Sequence, residues 1–370
     1  MTKVLITGAN GFIGKNLRER LQRIENIELI TIDRENTLEE LEEGIKSADF
    51  IFHLAGINRP ENPEEFYSGN RDLVGTLVNT LEKNNLNTPV LITSSIHADK
   101  DNDYGKSKLA GENLLKEYGE KTGARVYIYR LQNVFGKWCK PNYNSVVATW
   151  CYNTAHNIDI QITNRETLIE FVYIDDVIEA ISSHLEEENK EDKFYYMVEK
   201  TYHRTLGEVA DLLKFFKENR KTLTIPTVGI GFERALYGTY LSYLPENEFS
   251  YELVEHRDQR GSFVEILRTV DSGQISISTS KPGVTRGNHY HNTKNEKFLV
   301  IKGEAVIRFR HIFSEKVIEY FVSDKKLEVL DIPTGYTHNI TNIGKEDMVL
   351  VLWANEQFNK EKPDTYYLEV

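Results

Sequence analysis

Residues Val4–Leu17 read VLITGANGFIGKNL. An apolar run gives way to three glycines, Gly8, Gly11 and Gly14, and then to a segment with helical periodicity. Strand, glycine turn and helix, in that order, form the context in which a glycine pattern acquires chemical meaning. Glycines permit the tight turn and close backbone approach, and the helix N-terminus offers unpaired N–H groups to a pyrophosphate. Gly8, Gly11, Phe12, Ile13 and Gly14 are therefore the candidate dinucleotide cradle. The next strand, ELITID, ends at Asp33 and Arg34, about where an adenosine ribose should lie. A carboxylate there suits the 2'-hydroxyl of NAD and a guanidinium the 2'-phosphate of NADP, so this pair leaves the coenzyme open.

Outward from this turn, apolar runs alternate with amphipathic segments as far as about His184. ADFIFHLAG, PVLITSS and RVYIYRLQNVFG read as strands, while Leu17, Leu21 and Ile24, and again Leu73, Leu77 and Leu81, recur at helical spacing. This predicts a doubly wound, Rossmann-type α/β domain. From about Gln274 the texture changes to strand after strand: QISIST, KFLVIKGEAVIRFRH, KVIEYFVS, KLEVLDIP, MVLVLWANE and TYYLEV, broken by Gly, Pro, Asn and Asp. That pattern predicts an all-β barrel or jelly roll. The boundary is placed near Pro245, giving domains of residues 1–245 and 246–370.

A chain of 370 residues exceeds what one core usually organises. Its net charge of -12 and pI near 5.4 argue against nucleic acid or an anionic membrane surface as main partner. The two cysteines, Cys139 and Cys151, form no paired motif, and neither a signal peptide nor a membrane span is apparent. An acidic cytoplasmic enzyme is the expectation.

In YGKSK, Tyr104 and Lys108 lie one helical turn apart and face the same way. A tyrosine is a poor acid–base catalyst near neutrality, and a neighbouring ammonium with an oxidised nicotinamide is expected to lower its pKa. Upstream, LITSSI ends a strand with Ser94 and Ser95, hydroxyls that could bind a carbonyl oxygen. A solvated helix face or a turn cap would explain each of these alone. The ordered set is harder to explain that way.

With the glycine motif, HLAG at His53–Gly56, RLQNVFG at Arg130–Gly136 and YIDDV at Tyr173–Val177, the set resembles the extended short-chain dehydrogenase/reductase family. The resemblance implies that Ser95, Tyr104 and Lys108 act on a nucleotide-sugar keto group, with Ser94 the rival for the serine. It also implies NAD(P) held by the glycine loop and by Leu54, Ala55 and Gly56, with Tyr104 and Lys108 beside it. The loop from Ser95 to Tyr104 is shorter than in many sugar-modifying relatives. The pocket is then more open, or is completed by another subunit.

The stretch RGNHYHNTKNEKFLVIKG, Arg286–Gly303, carries a second chemistry. Alternate strand residues share a face, so His289 and His291 are expected to point together and Tyr290 away. Glu296 from the next strand and His338 from a distant one would complete an N3O donor set suited to Zn, Fe, Mn or Ni. For the histidine pair alone, ordinary surface or core residues are the plainer explanation. The spacing Gly283-x5-His289-x-His291-x4-Glu296-x6-Gly303, with Pro333-x-Gly335-x2-His338-x3-Asn342, resembles the paired motifs of the cupin superfamily, with Leu327 where a glycine is expected. DQRGSFVEI at Asp258–Ile266 and QISISTSKPGVTRGNHYH resemble its sugar-nucleotide epimerase branch, which aligns His289 with a catalytic base. A metal-bound His289 could not simply do that work.

From the glycine loop to the terminal PDTYYLEV, including VFGKWCKPNYNSV, the chain resembles the bifunctional reductase–cupin enzymes of capsular polysaccharide synthesis. The resemblance implies C3 epimerisation of UDP-2-acetamido-2,6-dideoxy-L-arabino-4-hexulose by the cupin. NADPH-dependent C4 reduction to the L-talose derivative, on the route to UDP-N-acetyl-L-fucosamine, then follows. It further implies zinc and a homodimer. Trp138, Lys140 and Asn142 either contribute to the nucleotide-sugar pocket or form a structural loop. The alternative is a monofunctional reductase whose cupin is a metal-stabilised binding or dimerisation module.

Overall fold

The computed structural model describes residues 1–186, 193–258, 261–264, 268–269, 273–356 and 361–370. Its first element is a six-stranded sheet in the order Ile27–Ile32, Thr2–Thr7, Phe50–His53, Val90–Ser95, Val126–Leu131, Tyr195–Tyr196. Every pairing in it is parallel. Strand order reverses between Thr2–Thr7 and Phe50–His53, and in open α/β sheets ligands bind beyond the carboxyl ends of strands at such a switch point. The apolar strand residues Leu5, Ile51, Val90 and Ile128 are buried against the helix faces carrying Leu77, Leu81, Leu115 and Tyr118. The helix Phe12–Leu21 buries Leu17 and Leu21 but stops there, so Ile24 lies beyond it. The helix Asp103–Thr122 is sharply bounded: Asn102 accepts from Gly105 N–H at its start and left-handed Gly123 closes its end.

The β-rich part holds two five-stranded sheets. One runs Ser250–Glu252, Glu328–Ile332, Glu296–Lys302, Met348–Ala354, Gln274–Ser280; the other runs Val317–Ser323, Glu304–His311, Tyr336–Asn342, Thr285–Tyr290, Tyr366–Tyr367. All their pairings are antiparallel, as the strand-rich sequence leads one to expect. Of the stretch DQRGSFVEI, Gln259, Arg260, Glu265 and Ile266 lie outside the described residues.

By packing, the chain forms two compact units: Met1–Ser145 with Ile169–His203, and Val146–Leu168 with Arg204–Val370. A cut at Pro245 follows element type; packing instead groups the helices Val146–Ala155, Leu206–Thr222 and Gly231–Leu241 with the β-sheets. The second unit is tied by a buried ionic cluster. Lys297 and Asp331 are in direct contact, Tyr251 Oη accepts from Lys297 Nζ at 3.1 Å, and Arg220 Nε stands 3.4 Å from Asp331 Oδ2. Arg220 also donates to the carbonyls of Glu248 at 2.6 Å and Ser250 at 3.2 Å, so one helix residue anchors two barrel segments. Among the described residues, no helix is long and apolar enough to cross a membrane.

Candidate functional site

The glycine turn closes on backbone alone. Gly8 has φ +70°, and a Cβ there would fall 2.8 Å from Ala55 N and Cα; one on Gly14 would fall 2.2 Å from Gly8 O. Gly8 N–H donates to Ile32 O at 2.8 Å and Leu54 N–H to Thr7 O at 3.1 Å, which sets Leu54, Ala55 and Gly56 beside the turn. The helix beginning at Phe12 and Ile13 has no side-chain cap and no acid in its first turn, leaving its N–H groups for an anion. The Asp33 carboxylate accepts from Asn10 N–H at 2.5 Å and from Arg34 N–H at 3.1 Å, while the Arg34 side chain is exposed. A cradle that a Cβ would fill and an uncapped helix end fit a dinucleotide.

The helix Asp103–Thr122 places Tyr104, Lys108 and Glu112 on one stripe. Tyr104 hydrogen-bonds Ser95, and its ring packs on Phe66 with centroids 5.5 Å apart. Lys108 is buried, its ammonium 2.8 Å from where a Cβ on Gly56 would stand. Burial pushes Lys108 down to about 8, with Glu112 opposing the shift. Tyr104 is not lowered, as its lysine neighbour led one to expect: burial raises it, against a smaller opposing effect of the Ser95 hydrogen bond. Desolvation of the phenolate outweighs that hydrogen bond, and the phenol keeps its proton at neutral pH.

Ser94 faces elsewhere. Its hydroxyl donates to Glu112, which also receives Arg130 Nε at 3.0 Å, Arg130 Nη2 at 2.7 Å and Tyr195 Oη at 3.1 Å. Glu112 thus bolts the Tyr104 helix to three strands of the sheet. Sequence reasoning passed over Glu112, although its spacing four residues beyond Lys108 was a signal. It also passed over Asn70, which sits in a π-helical turn, Ser68–Asp72, and has no comparable signal. Asn70 bonds Ile57 N–H at 2.9 Å, Ile57 O at 3.0 Å and Ser107 Oγ at 3.1 Å, fixing the segment after Gly56. Trp138 and Asn142 adopt left-handed backbone, at φ +69° and +55°, and Lys140 Nζ lies over the Tyr143 ring at 5.6 Å. Tyr143 is the residue of that loop that acts electrostatically on Tyr104.

In the β-rich part, strict alternation does not hold at the histidine pair. Gly287 and Asn288 have φ +104° and +59°, the register shifts between Gly287 and His289, and the strand ends at Tyr290, before His291. Even so, one donor atom each from His289, His291, Glu296 and His338 lies within 4.8 Å of the others. His291 Nε2 and His338 Nε2 stand 3.2 Å and 3.5 Å from Glu296 Oε2. Burial, then His338 and His291, pushes His289 down to about 3. Burial alone would raise Glu296, but the two facing imidazoles hold it well below the carboxylate range. Three imidazoles converging with a carboxylate fit a divalent cation and do not select which. Beside them is a cavity of about 110 Å³ lined by Ser278, Ser280, Arg286, Phe298 and Ile340. Arg286 Nε donates to Ser280 Oγ there at 2.8 Å.

Residues 4–197 match the NAD dependent epimerase/dehydratase family, and residues 256–366 match the polysaccharide biosynthesis C-terminal domain. A UDP-2-acetamido-2,6-beta-L-arabino-hexul-4-ose reductase from Pseudomonas aeruginosa is 50% identical over 100% of this chain and 99% of its own. The crystal structure of the capsular polysaccharide assembling protein CapF from Staphylococcus aureus matches with 50% identity and a TM-score of 0.68, covering 99% of this chain and 100% of that one. UDP-glucuronic acid 4-epimerase from Bacillus cereus, in complex with NAD, shares the fold over 58% of this chain and 84% of its own, at 17% identity and a TM-score of 0.53. The chain therefore belongs to the NAD dependent epimerase/dehydratase family and, over its whole length, to the group of polysaccharide-biosynthesis proteins that includes the Pseudomonas reductase and CapF.

Proposed function

We propose that this chain reduces the C4 ketone of a UDP-activated 2-acetamido-2,6-dideoxyhexulose, and that its β-rich part first inverts C3 beside that ketone. The observation that carries the reductase reading is Lys108 set against Gly56 at the edge of the dinucleotide cradle, one helical turn from Tyr104, which faces Ser95. NADPH supplies the hydride that reaches C4. Tyr104, kept protonated by burial, gives its proton to the ketone oxygen, and Ser95 hydrogen-bonds that oxygen. Lys108 holds positive charge beside the coenzyme segment. The name of the half-identical Pseudomonas reductase supports an L-arabino 4-hexulose as substrate, with an L-talose derivative as product. NADPH over NADH, zinc, a homodimer and a cytoplasmic location belong to the same proposal and are supported by the family resemblance; the exposed Arg34 beside Asp33 supports NADPH.

A 4-keto group acidifies the adjacent C3–H, so a base on one face and an acid on the other can invert that carbon. His289 borders the cavity and, uncharged at neutral pH, has the protonation state of a base. His289, His291, Glu296 and His338 would also hold a divalent ion, which supplies positive charge next to the cavity. These two roles compete for His289. That competition favours, as a second reading, a reductase whose barrel is a metal-stabilised binding module.

Product NMR from the full chain in deuterated water, with and without NADPH, tests both readings. Deuterium at C3 without coenzyme, followed by a C4 alcohol once NADPH is added, is the expected result. Reduction without C3 exchange removes the epimerase and leaves the second reading. Absence of reduction removes both.

A further inference from the structure

The last residues of the chain make contacts that neither proposed activity explains. Asp364, in left-handed backbone at φ +33°, spends its whole carboxylate on the turn after His291. Its Oδ1 accepts from Asn292 N–H at 3.1 Å; its Oδ2 accepts from Thr293 N–H at 2.8 Å, Thr293 Oγ at 2.9 Å and Lys294 N–H at 2.6 Å. The Asp364 carbonyl oxygen lies 2.6 Å from His291 Nδ1. A carbonyl can only accept, so Nδ1 carries the proton and Nε2 is the nitrogen left to ligate an ion. Nε2 is on the side of Glu296, whose Oε2 is 3.2 Å away. Lys294 Nζ reaches Thr365 Oγ1 at 2.9 Å, and beyond it Tyr366 and Tyr367 pair with Tyr290 and His289. Leu368 N–H then donates to Asn288 O at 2.9 Å. One short segment thus flanks two of the four donors.

We propose that Asp364 is a positioning residue of the His/Glu cluster: its carbonyl sets the tautomer and aim of His291, and its carboxylate clamps the turn that carries that histidine. The proposal rests on the reading that the cluster takes a divalent ion. Groups that orient metal-ligating histidines typically contribute about ten- to a hundredfold to metal affinity. A clasp that only fastened the chain end would leave that affinity unchanged.

The test uses full-length protein with zinc as the probe. Zinc affinity is measured by competition with a chromophoric chelator for wild type, Asp364→Ala, Asp364→Asn and His291→Ala, and the metal-free histidine tautomers are read by nitrogen-15 NMR. Expected are a zinc affinity about ten- to a hundredfold weaker in Asp364→Ala, a smaller loss in Asp364→Asn, which keeps one acceptor oxygen, and loss of the single Nδ1–H tautomer at His291. If Asp364→Ala does not fold, the Asp364→Asn result decides alone. Affinity within twofold of wild type in the folded variants, while His291→Ala has lost zinc, overturns the role of Asp364 and leaves the metal site standing. Wild type that binds no zinc, and does not differ from His291→Ala, overturns the metal reading and this proposal with it.

Discussion

Gly56 and Lys108 occupy adjoining space: a Cβ added to Gly56 would stand 2.8 Å from the Lys108 ammonium and 2.9 Å from Asn70 Oδ1. Gly56 is not in left-handed backbone, so Gly56→Ala meets side-chain tips and no conformational barrier. Lys108 must move to make room, and the cost falls on catalysis. The expected outcome is a reduction rate lower by about tenfold or more, equivalent to about 1.4 kcal/mol in the barrier, with a melting temperature close to wild type. Steady-state kinetics beside a thermal melt checks both halves. A variant that melts early instead would show that Gly56 serves packing.

The two adjacent serines should separate by phenotype. Ser95 bonds Tyr104, and removing one donor to a reacting oxygen typically costs about a hundredfold or more in kcat. Ser94→Ala instead leaves Glu112 short of one hydrogen bond, a loss of about 1.5–3 kcal/mol in stability, with kcat changed only a few-fold. Kinetics and urea denaturation of both variants distinguish them. The opposite pattern would reassign the serine.

The pH profile should report Lys108. With its pKa lowered to about 8, the reduction rate falls as pH rises through that value, while Tyr104, raised by burial, stays protonated. Glu112 supports the charged lysine, so Glu112→Gln should move this limb to lower pH. The linkage to stability has the opposite direction. A lysine whose pKa is depressed on folding binds fewer protons in the native than in the unfolded state. Its contribution to stability therefore increases with pH from about 8 to the ordinary lysine value of about 10.4. Profiles of kcat/KM and of urea midpoints across this window check the two signs.

What could be read in the sequence follows from what local rules determine. Gly8 and Gly14 announced the turn because nothing larger fits against Ala55 and Gly8 O. Tyr104 and Lys108 announced a shared face because helical spacing fixes it. The convergence of His289, His291, Glu296 and His338 was foreseeable from motif spacing, but not by the alternation argument, since Asn288 and Gly287 break the strand just before the first histidine. Asn70 was not legible, because its place depends on a π-turn with no sequence signature. Asp364 was not legible either, because its partners lie some seventy residues away in sequence. The grouping of Leu206–Thr222 with the β-sheets was hidden for the same reason, since contacts such as those of its anchor residue Arg220 with Glu248, Ser250 and Asp331 are long-range.

That anchor gives the last prediction. Asp331 is fully buried between two cations, Lys297 in direct contact and Arg220 at 3.4 Å. Lys297 is held protonated there against its burial by Asp331. Asp331→Asn removes the one carboxylate of this group and leaves two buried positive charges facing each other. Breaking such a pair from one side costs about 3–5 kcal/mol, whereas replacing charged groups together by apolar ones of similar volume is far cheaper. Asp331→Asn should therefore destabilise the second unit by about that amount, and the double substitution Lys297→Met with Asp331→Leu by less than the single one. Because Arg220 would lose its carboxylate partner in either variant, adding Arg220→Met should recover more stability on Asp331→Leu than on the wild-type background. Urea midpoints for the series, followed by tyrosine and tryptophan fluorescence, measure each step. A single Asp331→Asn variant as stable as wild type would mean that the cluster contributes no net anchoring between the helix and the barrel.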